Sequence, residues 1–247
     1  MQKENNDFLE LEEQYISKGL FSESQLENIL RSETNSDTPE ELFYSALEAL
    51  FRGNEDDILL QMKRYLPYLK DVKGKFLDIG CGRGEFLHLL AEEQIAGIGV
   101  DKNAFFVKKL REAGYEAVCD DGLSYLMQLE DESLAGVSAF QVIEHIEFDM
   151  VWKIVKSAYD KLSSNGVIIL ETVNPYCILG LGSFYLDPTH IKLHTPDTIR
   201  LILLLCGFKD TEILYYAPID LGLRNKSKIE MNYQGYAVVG YKDGKGA

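Results

Sequence analysis

The spacing of hydrophobic and polar positions changes character near Lys75. From there on, short apolar runs alternate with segments whose apolar residues recur at helical spacing. The runs Lys75–Ile79, Ile95–Asp101, Glu116–Cys119, Leu134–Phe140, Gly166–Glu171, Thr211–Tyr216 and Gly235–Tyr241 predict strands, and Glu85–Glu93, Ala104–Ala113, Leu123–Glu130, Phe148–Leu162 and Pro196–Cys206 predict the helices between them. Thr195 followed by Pro196 is a helix start, and Gly114, Asn165-Gly166 and Gly207 read as left-handed helix stops. Ile199–Cys206, the longest apolar run and broken only by Arg200, reads as a buried helix. Such alternation implies a doubly wound α/β fold of seven strands, mostly parallel, with helices on both faces. Only a polar loop joins the last two strands, which predicts an antiparallel hairpin at one edge.

Upstream of Lys75 the pattern is helical. Residues 1–37 are polar and acidic, with weak helical spacing over Phe8–Ile16 and Leu26–Leu30, and Arg31–Asp37 reads as a linker. Thr38-Pro39-Glu40-Glu41 has the cap, the proline and the returning carboxylate of a helix start. That helix is expected to run to Leu50 and stop at Gly53, with a second from Asn54 to Tyr68. Residues 38–73 then form a helical lid or brace, and 74–247 the main domain.

Composition narrows the class. With 46% apolar residues in 247, the chain can build one large core and a small extension. No apolar run is long enough to span a bilayer, and residues 1–13 lack the apolar core of a secretion signal. Cys81, Cys119, Cys177 and Cys206 form no CxxC pair, which argues for free thiols and a cytoplasmic setting. Lys and Arg total 25 against 40 Asp and Glu, a net −15. A nucleic-acid substrate needs a basic face, so this balance favours a small or neutral acceptor.

The chemistry begins at Phe76-Leu77-Asp78-Ile79-Gly80-Cys81-Gly82-Arg83-Gly84-Glu85. An apolar strand ends in an acid, and glycines open a helix. Gly80 and Gly82 permit left-handed backbone and close approach of a ligand, at the carboxyl end of a strand, where open α/β sheets bind ligands. A dinucleotide fingerprint would need glycine where Glu85 stands, and a pyrophosphate there would face a carboxylate. S-adenosylmethionine carries an ammonium and a sulfonium and no phosphate, so nearby acids help it. Asp78 is placed for the ammonium. Gly97-Ile98-Gly99-Val100-Asp101, followed by Lys102, ends the second strand where a ribose diol would sit. Asp120-Asp121-Gly122 ends the third, where a carboxylate can accept from an adenine amino group.

These residues resemble class I S-adenosylmethionine methyltransferases. Within that class the closest likeness is to the bacterial methyltransferases of surface-polysaccharide synthesis. It rests on Leu50-Phe51-Arg52-Gly53, Arg64–Leu69, Leu77–Glu85, Ser138–His145 and Ser183–His190. The resemblance implies that the Phe-Arg-Gly segment folds over the cofactor, with Arg52 on the methionine carboxylate. Two departures stand out. The group includes the methyltransferase half of O-antigen chain-terminating methyltransferase–kinases, for whose kinase domain this chain ends too early, and Gln141 stands where the group favours His.

After the fourth strand comes Phe140-Gln141-Val142-Ile143-Glu144-His145. Phe140 and Gln141 are expected to border the adenine and the methyl group. A hydroxyl acceptor needs a general base, and imidazole suits neutral pH. His145 is the first candidate and His190, in a proline-containing loop after the fifth strand, the second; Glu144 completes the group. The same donors could bind a divalent ion, but Gln141 occupies the place of the first acid in such sets, so no metal is assigned. The expected reaction is O-methylation of a sugar hydroxyl, or of a sugar phosphate, in a glycan or glycolipid precursor. A quinone-type metabolite O-methyltransferase and a catalytically silent cofactor-binding protein remain as alternatives. Peripheral association with a membrane is compatible with a glycolipid acceptor.

Overall fold

The computed structural model describes residues 22–32, 43, 46–47, 50, 55–70, 73–220, 222 and 225–244. The chain divides into two compact units, residues 1–58 and 59–247. In the first, helix α1 (Glu23–Ser32) starts at a reciprocal cap. The Gln25 amide donates to Ser22 Oγ at 3.2 Å, and the Ser22 amide donates to Gln25 Oε1 at 2.8 Å. Part of the expected linker, Arg31 and Ser32, is therefore helical. The expected helix at Phe8–Ile16 lies outside the described residues. So does that at Thr38–Leu50, apart from Phe43, Ala46, Leu47 and Leu50, and so does Arg52.

The expected second helix is broken. It forms as α2 (Glu55–Met62), a tighter turn over Lys63–Tyr65, and α3 (Leu66–Leu69). Pro67 causes the break: its ring opposes the carbonyl four residues back and it offers no N–H, so it is tolerated only in the first turn of a new helix.

The second unit carries a seven-stranded sheet of order β3-β2-β1-β4-β5-β7-β6. Its strands are β1 (Lys75–Ile79), β2 (Gly97–Asp101), β3 (Glu116–Cys119), β4 (Leu134–Phe140), β5 (Leu162–Val173), β6 (Lys209–Pro218) and β7 (Tyr233–Tyr241). β1 to β5 run parallel, and β7 lies antiparallel between β5 and β6. This is the expected doubly wound fold with its edge hairpin. Helices α4 (Glu85–Glu92), α5 (Ala104–Glu112), α6 (Gly122–Gln128), α7 (Phe148–Lys161), α8 (Ile178–Leu186) and α9 (Pro196–Cys206) cover it. β4 is buried along its whole length, and its Leu134, Val137 and Ala139 join Leu77, Val100, Ile168, Ile199 and Val238 in one continuous core.

Three local readings change. Asn165-Gly166 does not stop a helix: α7 ends at Lys161, and Asn165, at φ +64°, sits inside β5, where the pairing with β4 skips register. Helix α9 is buried on one side only. Ile199, Ile202, Leu203 and Cys206 face the core, while Leu201, Leu204 and Leu205 are exposed. Helix α8 was not legible, because Ile178-Leu179-Gly180-Leu181-Gly182 shows neither a polar face nor good helix propensity. The fold needs Gly180 there, since a Cβ would lie 2.9 Å from the carbonyl oxygens of Asn174 and Gln234.

Candidate active site

The order of strands reverses direction at β1 and β4, and the crevice at their carboxyl ends is where such sheets bind ligands. The glycine turn fills one side of it. Gly80, Gly82 and Gly84 have φ of +66°, +50° and +88°, in the region only glycine enters without strain. A Cβ on Gly80 would stand 2.5 Å from Val142 Cγ2, so the turn presses directly on the loop after β4. The backbone amide of Gly82 donates to Asp101 Oδ2 at 2.9 Å, and that of Asn103 to Oδ1 at 2.8 Å. Asp101 thus ties the ends of β1 and β2 together, while remaining partly open to solvent. Asp78 is buried and accepts from Ser138 Oγ at 2.7 Å.

Other expected residues do different work. Arg83 pairs with the buried Glu85, Nη2 to Oε1 at 2.7 Å, so Glu85 is not the open carboxylate that would repel a pyrophosphate. The missing third glycine of the dinucleotide pattern is what remains of that argument. Asp121 caps α6 through the Ser124 amide, at 2.9 Å, and pairs with Lys102 at 2.8 Å, which together hold its carboxyl below the usual range. Each of its oxygens therefore already has one partner, leaving a second lone pair on each for a ligand. A Cβ on Gly122 would meet Ile79 Cγ2 at 2.4 Å, so α6 packs tightly on the end of β1. Phe140 is a core ring, with its centroid 4.7 Å from that of Phe86 and 5.1 Å from that of Tyr65.

Gln141 turns away from its chain neighbours. Its backbone has φ +55°, and its side-chain amide donates to Glu171 Oε1 at 3.2 Å and to the Tyr216 hydroxyl at 2.7 Å. Tyr65 donates a short hydrogen bond to Glu171 as well. Arg64 Nη1 lies 3.6 Å from the same carboxylate, and its guanidinium stacks 4.2 Å above the Tyr216 ring. This network of Arg64, Tyr65, Gln141, Glu171 and Tyr216 was not anticipated. Arg64, Tyr65 and Gln141 fall in the stretches that carry the resemblance, and Glu171 is an acid closing the apolar run Val167–Leu170, but nothing in the sequence joins them or points to Tyr216.

Beyond Gln141 a single helical turn, Ile143–His145, carries Glu144 and His145. The loop after α8 is strapped to it: the amides of Ile191 and Lys192 donate to the Glu144 carbonyl at 2.7 and 3.2 Å. This brings His190 beside His145, with ring centroids 4.5 Å apart. Each imidazole is held through Nδ1. His190 donates to the Phe184 carbonyl at 2.5 Å, since a carbonyl can only accept. Thr189 donates its hydroxyl proton to Asp187 at 2.6 Å, so the 2.9 Å contact from His145 Nδ1 must be a donation to Thr189. These partners put the basic lone pair of both rings on Nε2.

Glu144 is fully buried, and neither of its carboxylate oxygens has a hydrogen-bond partner. Burial pushes its carboxyl up to about 8. Its own backbone amide and the Thr172 hydroxyl pull the other way; that hydroxyl is itself unpartnered, near enough to bias the charge without forming a bond. Ligand atoms of Glu144, His145 and His190 all lie within 4.8 Å of one another, a grouping that could hold a metal ion.

The crevice with its acid-rimmed glycine turn and the imidazole pair beside it define a group-transfer enzyme of the Rossmann-like kind, and comparison with known proteins is specific about which. Residues 51–213 match the family profile described as "Methyltransferase domain", and the chain belongs to that family of S-adenosylmethionine-dependent methyltransferases. A SAM-dependent methyltransferase from Archaeoglobus fulgidus is 32% identical, with a TM-score of 0.72, over 81% of this chain and 99% of that one. A possible histamine N-methyltransferase from Thermotoga maritima superposes at a TM-score of 0.62 with 18% identity, over 88% of this chain and 99% of that one. Geranyl diphosphate C-methyltransferase from Streptomyces coelicolor superposes at 0.59 with 12% identity, over 88% and 98%. The last two likenesses are of fold. No curated protein sequence matches. S-adenosylmethionine is the cofactor. The four cysteines are free, as expected, and among the described residues no helix is long and apolar enough to cross a membrane.

Proposed function

We propose that this methyltransferase transfers a methyl group to a hydroxyl oxygen of a sugar, in a glycan or glycolipid precursor of the kind made for bacterial surface polysaccharides. It would do so in the cytoplasm, where the free thiols fit. The observation that carries the reading is the contact of Gly80 with Val142. It packs the glycine turn against the short segment bearing Glu144 and His145, which supports a methyl donor at the turn and a proton-accepting group sharing one crevice. The glycan assignment rests on the resemblance of Ser138–His145 and Ser183–His190 and on the acidic charge balance.

The residues fit S-adenosylmethionine. The glycine turn is bare of side chains, Asp78 supplies negative charge where the ammonium is expected, and Asp101 with Lys102 lies where the ribose is expected. Gly122 and Asp121 are the candidates for the adenine, the backbone at Phe140 and Gln141 for the wall beside the adenine and the methyl group, and the resemblance assigns the methionine carboxylate to Arg52. When bound, the cofactor would supply a methyl group on positively charged sulfur, whose S–CH₃ bond would give way, its electron pair staying on sulfur, as the acceptor oxygen takes the methyl. The chain's own task is to hold the hydroxyl in line and remove its proton. His145 Nε2 is the first candidate for taking that proton and His190 Nε2 the second, with Asp187 and Thr189 orienting His145. Glu144 supports both from the buried side.

The test is product analysis. The protein is incubated with S-adenosylmethionine and saccharide intermediates of the source organism's surface glycans, and the product is fragmented by mass spectrometry. A methyl ether on a sugar ring supports the reading. A methyl on nitrogen, carbon or a quinone ring overturns it.

A further inference from the structure

We infer that Glu144, His145 and His190 form a binding site for a divalent transition-metal cation, with the acceptor hydroxyl as a further ligand. Glu144 carries the argument. A carboxyl group sealed from water and without a hydrogen-bond partner is costly in either protonation state. Neither oxygen makes a hydrogen bond of normal geometry, and the Thr172 hydroxyl and its own amide only partly offset the cost of burying it. Among the described residues no lysine or arginine pairs with it, and the charged groups that act on it most strongly, Glu171 and Asp187, are acidic. Arg64 is spent on Glu171, and Lys192 stacks over Phe148. A bound cation satisfies both oxygens at once.

The imidazoles are prepared for the same role. In metal sites a histidine ligand donates its other ring N–H to a carbonyl, a hydroxyl or a carboxylate, which fixes the tautomer and raises the basicity of the ligating nitrogen. His190 donates to the Phe184 carbonyl, and His145 to Thr189, which passes its own proton to Asp187. The His190 ring is further fixed by stacking on Phe184, centroid to centroid 4.8 Å. Asp187 Oδ2, 4.0 Å from His190 Nε2, adds negative charge beside the ligating nitrogen. Ligands about 2.1 Å from an ion sit about 3–4 Å from one another, so a group within 4.8 Å closes on one by a shift of about 1 Å.

Two imidazoles and one carboxylate leave coordination positions open. That donor set favours Mn²⁺, Fe²⁺, Co²⁺ or Zn²⁺ over Mg²⁺ or Ca²⁺, which prefer oxygen alone. Gln141 is not a missing ligand, because its amide is committed to Glu171 and Tyr216. The inference rests on the O-methylation reading only for the cation's purpose. A hydroxyl bound to the cation would become more acidic and release its proton to water; the two Nε2 lone pairs then serve the cation, so this inference replaces the general-base role of the imidazoles while keeping the O-methylation.

Mn²⁺ titration of the full, chelator-treated chain tests this, followed by calorimetry and by the loss of free-Mn²⁺ paramagnetic resonance. One Mn²⁺ per chain is expected, displaced by Zn²⁺, with affinity falling at least tenfold in His190→Ala and in Glu144→Gln. Binding of S-adenosylhomocysteine shows that each variant is folded, and His190→Ala, on a partly exposed side chain, serves if the core variant is not. Absence of binding, or equal binding in wild type and variants, overturns the inference. The methyl-transfer reading fails separately, through a product that carries no methyl ether while one Mn²⁺ still binds.

Discussion

His145 and His190 lie side by side with ring centroids 4.5 Å apart and planes tilted by 55°, although one follows the fourth strand and the other lies beyond the fifth and a helix. The Glu144 carbonyl makes the junction by accepting the Ile191 and Lys192 amides. The catalytic proposals depend on this strap, because it gives both imidazoles one acceptor to act on.

If His145 is the base, His145→Ala will lower turnover by about 10²–10⁴-fold, and His190→Ala will do so instead if the loop after the fifth strand carries the base. Affinity for S-adenosylhomocysteine will stay within about twofold of wild type. Steady-state rates on the identified acceptor, set beside calorimetry, make the check. Two variants that keep most of their turnover would leave positioning alone to account for the reaction.

Asp101→Ala will weaken cofactor binding by about 10–100-fold, the size of one or two charge-assisted hydrogen bonds. The loss has two parts, because Asp101 both faces the expected ribose and holds the Gly82 and Asn103 amides. Gly80→Ala will act more severely, through left-handed strain and the clash with Val142. Calorimetric titration of both variants against S-adenosylhomocysteine reads the effect, and binding of NAD in its place would sink the cofactor assignment.

Arg52 is expected to close on the methionine carboxylate. Arg52→Ala will then raise the dissociation constant about tenfold or more, as loss of a charged hydrogen bond does, while the melting temperature changes little. An unchanged dissociation constant would make Arg52 a surface charge.

Glu144 gives a pH signature of stability. Its folded pKa, about 8, lies above its ordinary 4.5, so between these values the folded protein binds more protons than the unfolded chain. Its contribution to stability is therefore greatest below the lower value and is lost as pH rises through the window. In the presence of a chelator, Glu144→Gln will melt at an increasingly higher temperature than wild type as pH rises from about 5 to about 8. Parallel melting curves across that range would show that the carboxyl is solvated and unshifted.

The sequence by itself determined the sheet and its cofactor end. Apolar runs ending in Asp78, Asp101 and Glu171, with helices between them, allow few arrangements, because parallel strands need crossovers and crossovers take one hand. Gly80 and Gly82 were legible for a local reason: positive φ is a property of a single residue and its neighbours. The ends of elements were less secure. Pro67 broke a helix the apolar spacing had continued, and α8 was hidden because its glycines and apolar residues show no period, their positions being set by packing against β5 and β7. Tertiary structure alone decided the chemistry around Glu144. That its carboxylate would be sealed without a partner depends on Thr172 from β5 and on the loop bearing His190. Likewise, that Gln141 would bond Glu171 and Tyr216 depends on three strands meeting. Burial and partnership at these positions are sums over residues far apart in the chain, which no local pattern encodes.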